Sequence, residues 1–247
     1  MHLLGVYAHP DDETYTVGGS LARAVEAGFG ATILTFTRGE AGGITPGSGA
    51  TRETLGEVRE AELREACRIL GCTDVRIVGT PDGGTAATEH GVAAIADVIA
   101  EVRPEVVVTM EPEGITRHPD HRAVSEMTLA AVQASSDIVK RLYFAAVPTS
   151  MYERWNEAAG GQVEDPDDPL AVRPVPDDTI ACLVDIGELL KRKIEALWAH
   201  KTQSQEFVAS QPADVVELAL RLEAFQRIVP PHTIGEPVSA DLFEGLG

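Results

Sequence analysis

Short, apolar, β-branched runs alternate with stretches of helical spacing from the first residues of the chain, and that alternation sharply limits the folds open to it. "LLGVYA" (3–8), "ATILTFT" (31–37), "VRIVG" (75–79) and "EVVVTM" (105–110) each read as a buried strand. Between them, residues 18–28, 52–71 and 91–103 carry apolar side chains at helical spacing, and the first two stretches stop at Gly28 and Gly71. Strands with no polar alternation suit a parallel sheet covered on both faces. The β-then-α order suits a doubly wound layer structure. The expected fold is therefore α/β: a Rossmann-like, doubly wound, mostly parallel sheet with helices on both faces.

Further along, residues 121–134 read as a helix, 140–148 and 179–187 as two more strands, and 188–203 and 213–229 as helices. Pro, Gly and Asp crowd residues 157–176, which read as a long surface loop. Within it "EDPDDP" (164–169) lacks the glutamate that completes an EF-hand, so a solvated loop is favoured over a calcium site. No repeat or linker is visible. Residues 1–247 read as one domain, with the core sheet and metal site in 1–147 and a smaller portion, holding a substrate loop and helices, in 148–247.

Composition excludes some functions. The 39 acidic residues against 20 basic give a formal net charge of -19, a field that repels phosphate backbones and anionic lipid. Nucleic acid and membrane surfaces are therefore not the expected partners. The opening "MHLLGVYAHP" has neither a basic segment nor a long apolar one, and no stretch approaches the ~20 apolar residues of a membrane span. A cytoplasmic setting is expected, with Cys67, Cys72 and Cys182 as small buried thiols. Oligomeric state is left open, a homo-oligomer included.

Two polar clusters stand out against this background. "HPDDE" (9–13) follows the first strand, and "HPDH" (118–121) follows the strand at 105–110. In open α/β sheets, sites form at the carboxyl ends of strands. Taken alone, either motif is explained by a helix cap and a proline turn. Taken together, His9, Asp11, Asp12, His118, Asp120 and His121 supply the donors of a catalytic zinc, which takes three protein ligands and keeps a fourth position for water. They also leave a carboxylate to accept a proton and an imidazole to protonate a leaving amine. Nucleotide binding is disfavoured by the absence of G-x-G-x-x-G and G-K-[ST] after the first strand, and a serine hydrolase by the absence of G-x-S-x-G.

These residues resemble the PIG-L/LmbE-like family of zinc-dependent N-acetylglucosaminyl de-N-acetylases. The resemblance extends through "TRGEAGG" (37–43), Arg59 and Glu62, "GTPDGG" (79–84) and "KIEALWAHKTQ" (193–203). It implies a Rossmann-like fold and one Zn2+ per chain, or another divalent transition metal, held by His9, Asp12 and His121. It further implies Asp11 as general base, and His118 as the group that polarises the carbonyl or protonates the amine, with Asp120 orienting it. Arg59 and Asp82 match positions that touch the sugar or its aglycone in relatives, and Glu13 is read as a buttress of the loop. Some relatives carry a tyrosine where this chain has Thr116; the zinc, His118 or Arg117 would then stabilise the oxyanion. The expected activity is removal of an N-acetyl group from an N-acetylglucosamine-containing small molecule by metal-activated water. Two other readings stay open: an amidase acting on a thiol conjugate or another amide, and a non-catalytic sugar- or metal-binding module.

Overall fold

The computed structural model describes residues 1–161, 171–203 and 210–246. Five strands, β1 (His2–Tyr7), β2 (Gly30–Thr35), β3 (Asp74–Ile77), β4 (Val106–Met110) and β5 (Arg141–Ala146), run parallel. With β6 (Cys182–Asp185) and β7 (Leu222–Val229) they form a seven-stranded sheet in the order β3-β2-β1-β4-β5-β7-β6. Strand β7 is antiparallel to both β5 and β6. The mostly parallel α/β sheet expected from the alternation is present.

Successive side chains of β1 enter opposite cores, which is why the strand shows no polar alternation. Leu3 and Tyr7 join one apolar cluster, Leu4 and Val6 the other. The first cluster is closed by α1 (Asp12–Glu26), α2 (Leu55–Leu70) and α6 (Leu190–Ala199), through residues such as Leu21, Leu63 and Ala196. The second is closed by α3 (Glu89–Val102) and α4 (Pro119–Ala134), through Ile95, Ile99, Val124 and Met127. Two further helices, α5 (Thr149–Ala158) and α7 (Ala213–Leu220), pack against each other beyond the carboxyl end of β5. Cys67, Cys72 and Cys182 are buried free thiols. Among the described residues no helix is long and apolar enough to cross a membrane.

Strand β1 has β2 on one side and β4 on the other, so the winding of the chain reverses between β1 and β4. Such a switch point opens a crevice at the carboxyl ends of the two strands. Both polar motifs follow these two strands.

Three expectations are corrected. Helix α1 starts at Asp12 rather than Gly18, so "DDE" forms its beginning. Residues 149–156, which the sequence pattern passed over, lie in α5. Residues 213–229 are not one helix: α7 ends at Leu220, Arg221 makes the turn, and Leu222–Val229 is β7. No Gly or Pro marks that boundary, and Glu223, Gln226 and Arg227 give β7 the spacing of an amphipathic helix. Residues 162–170, which include "EDPDDP", lie outside the described residues.

Candidate active site

The turn after β1 is built to project carboxylates. Asp11 stands at the N-cap position of α1 but makes no side-chain cap bond, and its backbone is left-handed, at φ 114°. For a residue with a side chain that conformation costs about 1–3 kcal/mol, and surrounding bonds must hold it. Glu13 Oε2 accepts the Asp11 N–H at 3.0 Å. The buried Arg59 guanidinium donates to Pro10 O (2.6 Å), Gly39 O (2.9 Å) and Asp11 Oδ2 (3.2 Å). Gly39 permits this approach: a Cβ there would stand 2.4 Å from the guanidinium carbon. Glu13 is itself fully buried, with His200 Nε2 at 3.0 Å from its Oε1. Asp12 faces inward, its Oδ2 accepting the N–H groups of His9 (2.9 Å) and Ala8 (3.2 Å).

The loop after β4 supplies the histidines. Gly114, Ile115 and Arg117 are all left-handed, at φ 71°, 64° and 59°. Gly114 O lies 2.9 Å from His121 Nδ1, and a Cβ on this glycine would stand 2.5 Å from that of His121. His118 is the N-cap residue of α4, and its Nδ1 accepts the Asp120 N–H at 3.2 Å. The carboxylate of Asp120 turns elsewhere. It accepts from Gly83 N (2.8 Å) and Thr85 N (3.1 Å) and lies 3.3 Å from His9 Nε2. Asp82 approaches the same ring nitrogen at 3.0 Å, while its other oxygen accepts the Ala41 N–H at 2.8 Å.

Counting protons shows what the centre lacks. A carbonyl only accepts, so His121 Nδ1 carries the proton that goes to Gly114 O, and Nε2 presents a lone pair. Two carboxylates at His9 Nε2 place a proton there, and Nδ1 presents a lone pair. These two lone-pair nitrogens face each other at 3.0 Å. Asp12 Oδ1 is 3.3 Å from His121 Nε2, and its Oδ2 is 3.8 Å from His9 Nδ1. With these tautomers two lone-pair nitrogens and a carboxylate converge on one point, an arrangement that a bound cation satisfies. Tetrahedral ligands at zinc–nitrogen distances of about 2.0–2.1 Å lie roughly 3.3 Å apart, so the donor set fits zinc in type and spacing.

The negative field of the site favours positive charge at this point, whether a proton on the imidazoles or a cation. Burial works against a charged His9, yet the bonds to Asp120 and Asp82 and the charge of Asp12 push its pKa up to about 10. Burial would raise Asp12, but His121, His9 and the His9 N–H hold it well below the usual carboxylate range. Burial pushes Asp11 up to about 6 against the pull of Arg59, with Asp12 adding to the rise. Burial and the neighbouring imidazoles lower His118. Asp12 and His121 also border an apolar cavity of about 380 Å³.

Residues 4–132 match the model of the PIG-L family, GlcNAc-PI de-N-acetylase. The chain belongs to the PIG-L family. Among its relatives, a 1D-myo-inositol 2-acetamido-2-deoxy-alpha-D-glucopyranoside deacetylase of Acidothermus cellulolyticus is 38% identical, over 81% of this chain and 79% of that protein. A deacetylase of the same name from Actinosynnema mirum is 35% identical, over 99% of this chain and 97% of that one. A solved structure of the conserved protein TT1542 from Thermus thermophilus superposes with a TM-score of 0.62 at 27% identity, covering 95% of this chain and 98% of that chain.

In this PIG-L family member the fold brings together His9, Asp11, Asp12, His118, Asp120 and His121. Three groups of expected residues hold partners that the sequence did not suggest. The Asp120 carboxylate lies against His9 rather than His118, and it is the Asp120 backbone N–H that donates to His118 Nδ1. Arg59 and Asp82, expected at the substrate, already hold internal partners: Arg59 beneath Asp11, and Asp82 on His9 and Ala41. Arg117 points to the surface and pairs with Glu113 at 3.3 Å. Sequence reasoning missed His200 as the partner of Glu13, although "AHKTQ" lay within the quoted motifs and a buried glutamate at position 13 called for a partner.

Proposed function

We propose that this chain is a zinc-dependent hydrolase that removes the acetyl group from an N-acetylglucosamine joined to a small aglycone, with inositol the first aglycone to test. One metal ion per chain is held by His9, Asp12 and His121. The observation that carries the reading is the convergence of two lone-pair imidazole nitrogens and a carboxylate, from turns 112 residues apart, around a point with no hydrogen-bond donor. The kinship with inositol-glycoside deacetylases supports the choice of substrate. His118 lies close enough to His9 and His121 to form an alternative three-histidine set. Asp12 is preferred because it brings the negative charge that three neutral imidazoles lack.

A zinc ion in that set supplies Lewis acidity and lowers the pKa of water. Asp11 lies outside the set, steadied by Arg59, and takes the proton as the water oxygen adds to the acetamide carbon. His118 delivers a proton to the nitrogen as the C–N bond breaks, so that acetate and a free amine leave. Asp120 and Asp82 keep the His9 ring turned with Nδ1 inward.

The test is free-amine release from N-acetylglucosaminides of varied aglycone by zinc-loaded protein. Asp11→Asn is expected to keep its metal and lose about 10²–10⁴-fold in turnover, because an amide cannot accept the proton. Near-normal turnover in that variant, or no amine release from any N-acetylglucosaminide by the metal-loaded chain, contradicts the reading.

A further inference from the structure

The segment "AHKTQ" (199–203) closes helix α6 and takes no part in the proposed chemistry, yet two buried carboxylates end on it. His200, fully buried, sets Nε2 at 3.0 Å from Glu13 Oε1; a carboxylate only accepts, so this nitrogen donates. Among the described residues its other ring nitrogen, Nδ1, meets no hydrogen-bond partner, so the ring is committed to Glu13. Two residues on, the backbone N–H and the hydroxyl of Thr202 both donate to Glu62, at 3.0 and 2.6 Å. His200, Thr202, Glu13 and Glu62 are all buried.

Both carboxylates lead to Asp11. Glu13 Oε2 accepts the Asp11 N–H and so fixes the backbone that carries the base at φ 114°. Glu62 lies one turn along α2 from Arg59, whose guanidinium holds Asp11 Oδ2 and Pro10 O. A single turn, 200–202, thus supports the base twice: at its amide through Glu13, and at its carboxylate through α2. A left-handed aspartate persists only where its surroundings over-determine it. A displacement of about 1 Å at a reacting group can cost on the order of a hundredfold in rate. We infer that the turn at 200–202 sets the position of the base, with His200 as its positioning residue. His200 keeps Glu13 on the Asp11 amide, and this keeps the Asp11 carboxylate aimed at the water it deprotonates. His200 moves no proton in this role. The inference rests on the reading of Asp11 as the general base.

Kinetics, zinc content and amide exchange of variants in this turn test it. His200→Leu removes the donor and keeps an apolar side chain in the buried site; kcat should fall about 10–100-fold with KM and zinc content unchanged. His200→Gln, whose amide N–H can replace the bond to Glu13, should recover kcat to within about fivefold of the parent. In the Asp11→Asn background, His200→Leu should change kcat by less than about twofold, because groups that act as a unit do not add. In the metal-free chain, the Asp11 amide proton should exchange at least about tenfold faster in His200→Leu than in the parent, a readout independent of turnover. Thr202→Val keeps the N–H bond to Glu62 and loses the hydroxyl bond, and it should lower kcat severalfold at constant KM. If His200→Leu does not fold, Thr202→Val decides, an unchanged kcat overturning the role of the turn. An unmoved kcat or unmoved amide exchange in His200→Leu overturns it as well. So does a loss in the Asp11→Asn background as large as in the parent, and each of these leaves the proposed hydrolase standing. Near-normal turnover of Asp11→Asn alone removes the base, and its positioning residue with it.

Discussion

His9 is gripped by two carboxylates at one ring nitrogen, Nε2, and this leaves Nδ1 as the nitrogen offered to a metal. Asp120 accepts from Gly83 N and Thr85 N as well as facing His9 Nε2, so both of its oxygens are committed as acceptors. In Asp120→Asn one end of the side chain becomes an –NH2 group aimed at a donor. The variant is expected to hold zinc about 10–100-fold more weakly, the usual cost of losing a group that orients a ligand, as measured by competition with a chromogenic chelator. Unchanged affinity would mean that Asp120 does not steady His9. Much of this site was legible in the sequence, because "HPDDE" and "HPDH" place the metal-type donors in two short turns. The grip of Asp82 and Asp120 on His9 was not, since it depends on where the 79–85 turn lands against α4. The family resemblance implied a partnership of Asp120 with His118; the fold sets its carboxylate against a ring 111 residues away.

Helix α1 carries the first half of the site, and a buried ion pair grips it midway. Glu223, on β7, accepts from the backbone N–H groups of Gly19 (2.7 Å) and Ser20 (2.8 Å), while Lys193 Nζ donates to Tyr15 O (2.9 Å) and Glu223 Oε1 (2.7 Å). The side chains of Lys193 and Glu223 are each 1% exposed. A carboxylate and an ammonium thus enter the backbone of α1 from the strand and helix packed beside it, fixing the helix against the sheet. Removing one partner of a buried pair leaves the other charge without compensation, at about 3–5 kcal/mol. Glu223→Gln should therefore unfold at clearly lower urea with an unchanged m-value, and an unmoved midpoint would show that the pair contributes nothing net. The same strand marks the limit of pattern reading. "LRLEAF" passes from helix to strand through Arg221 alone, and the buried Glu223 within β7 disguises an interior strand as amphipathic helix. The parallel strands from β1 to β4 were legible because each apolar run is bounded by turn residues and too short for a helix.

At the scale of the molecule, the function follows from the point where the sheet reverses its winding. Leu3 and Gly5 of β1 lie in register with Val106 and Val108 of β4, so the two strands deliver their following turns to the same level of the crevice. Histidines 112 residues apart thereby meet at 3.0 Å. The rest of the chain, at a formal net charge of -19, surrounds that point with a field that favours cations. The central claim is that His9, Asp12 and His121 together hold one metal ion, and metal analysis of the purified chain beside His121→Ala tests it most directly. The account predicts about one equivalent of zinc in the parent chain, and loss of tight occupancy in a variant that keeps its circular dichroism, because two remaining ligands make a weak zinc site. Undiminished zinc in His121→Ala would contradict it.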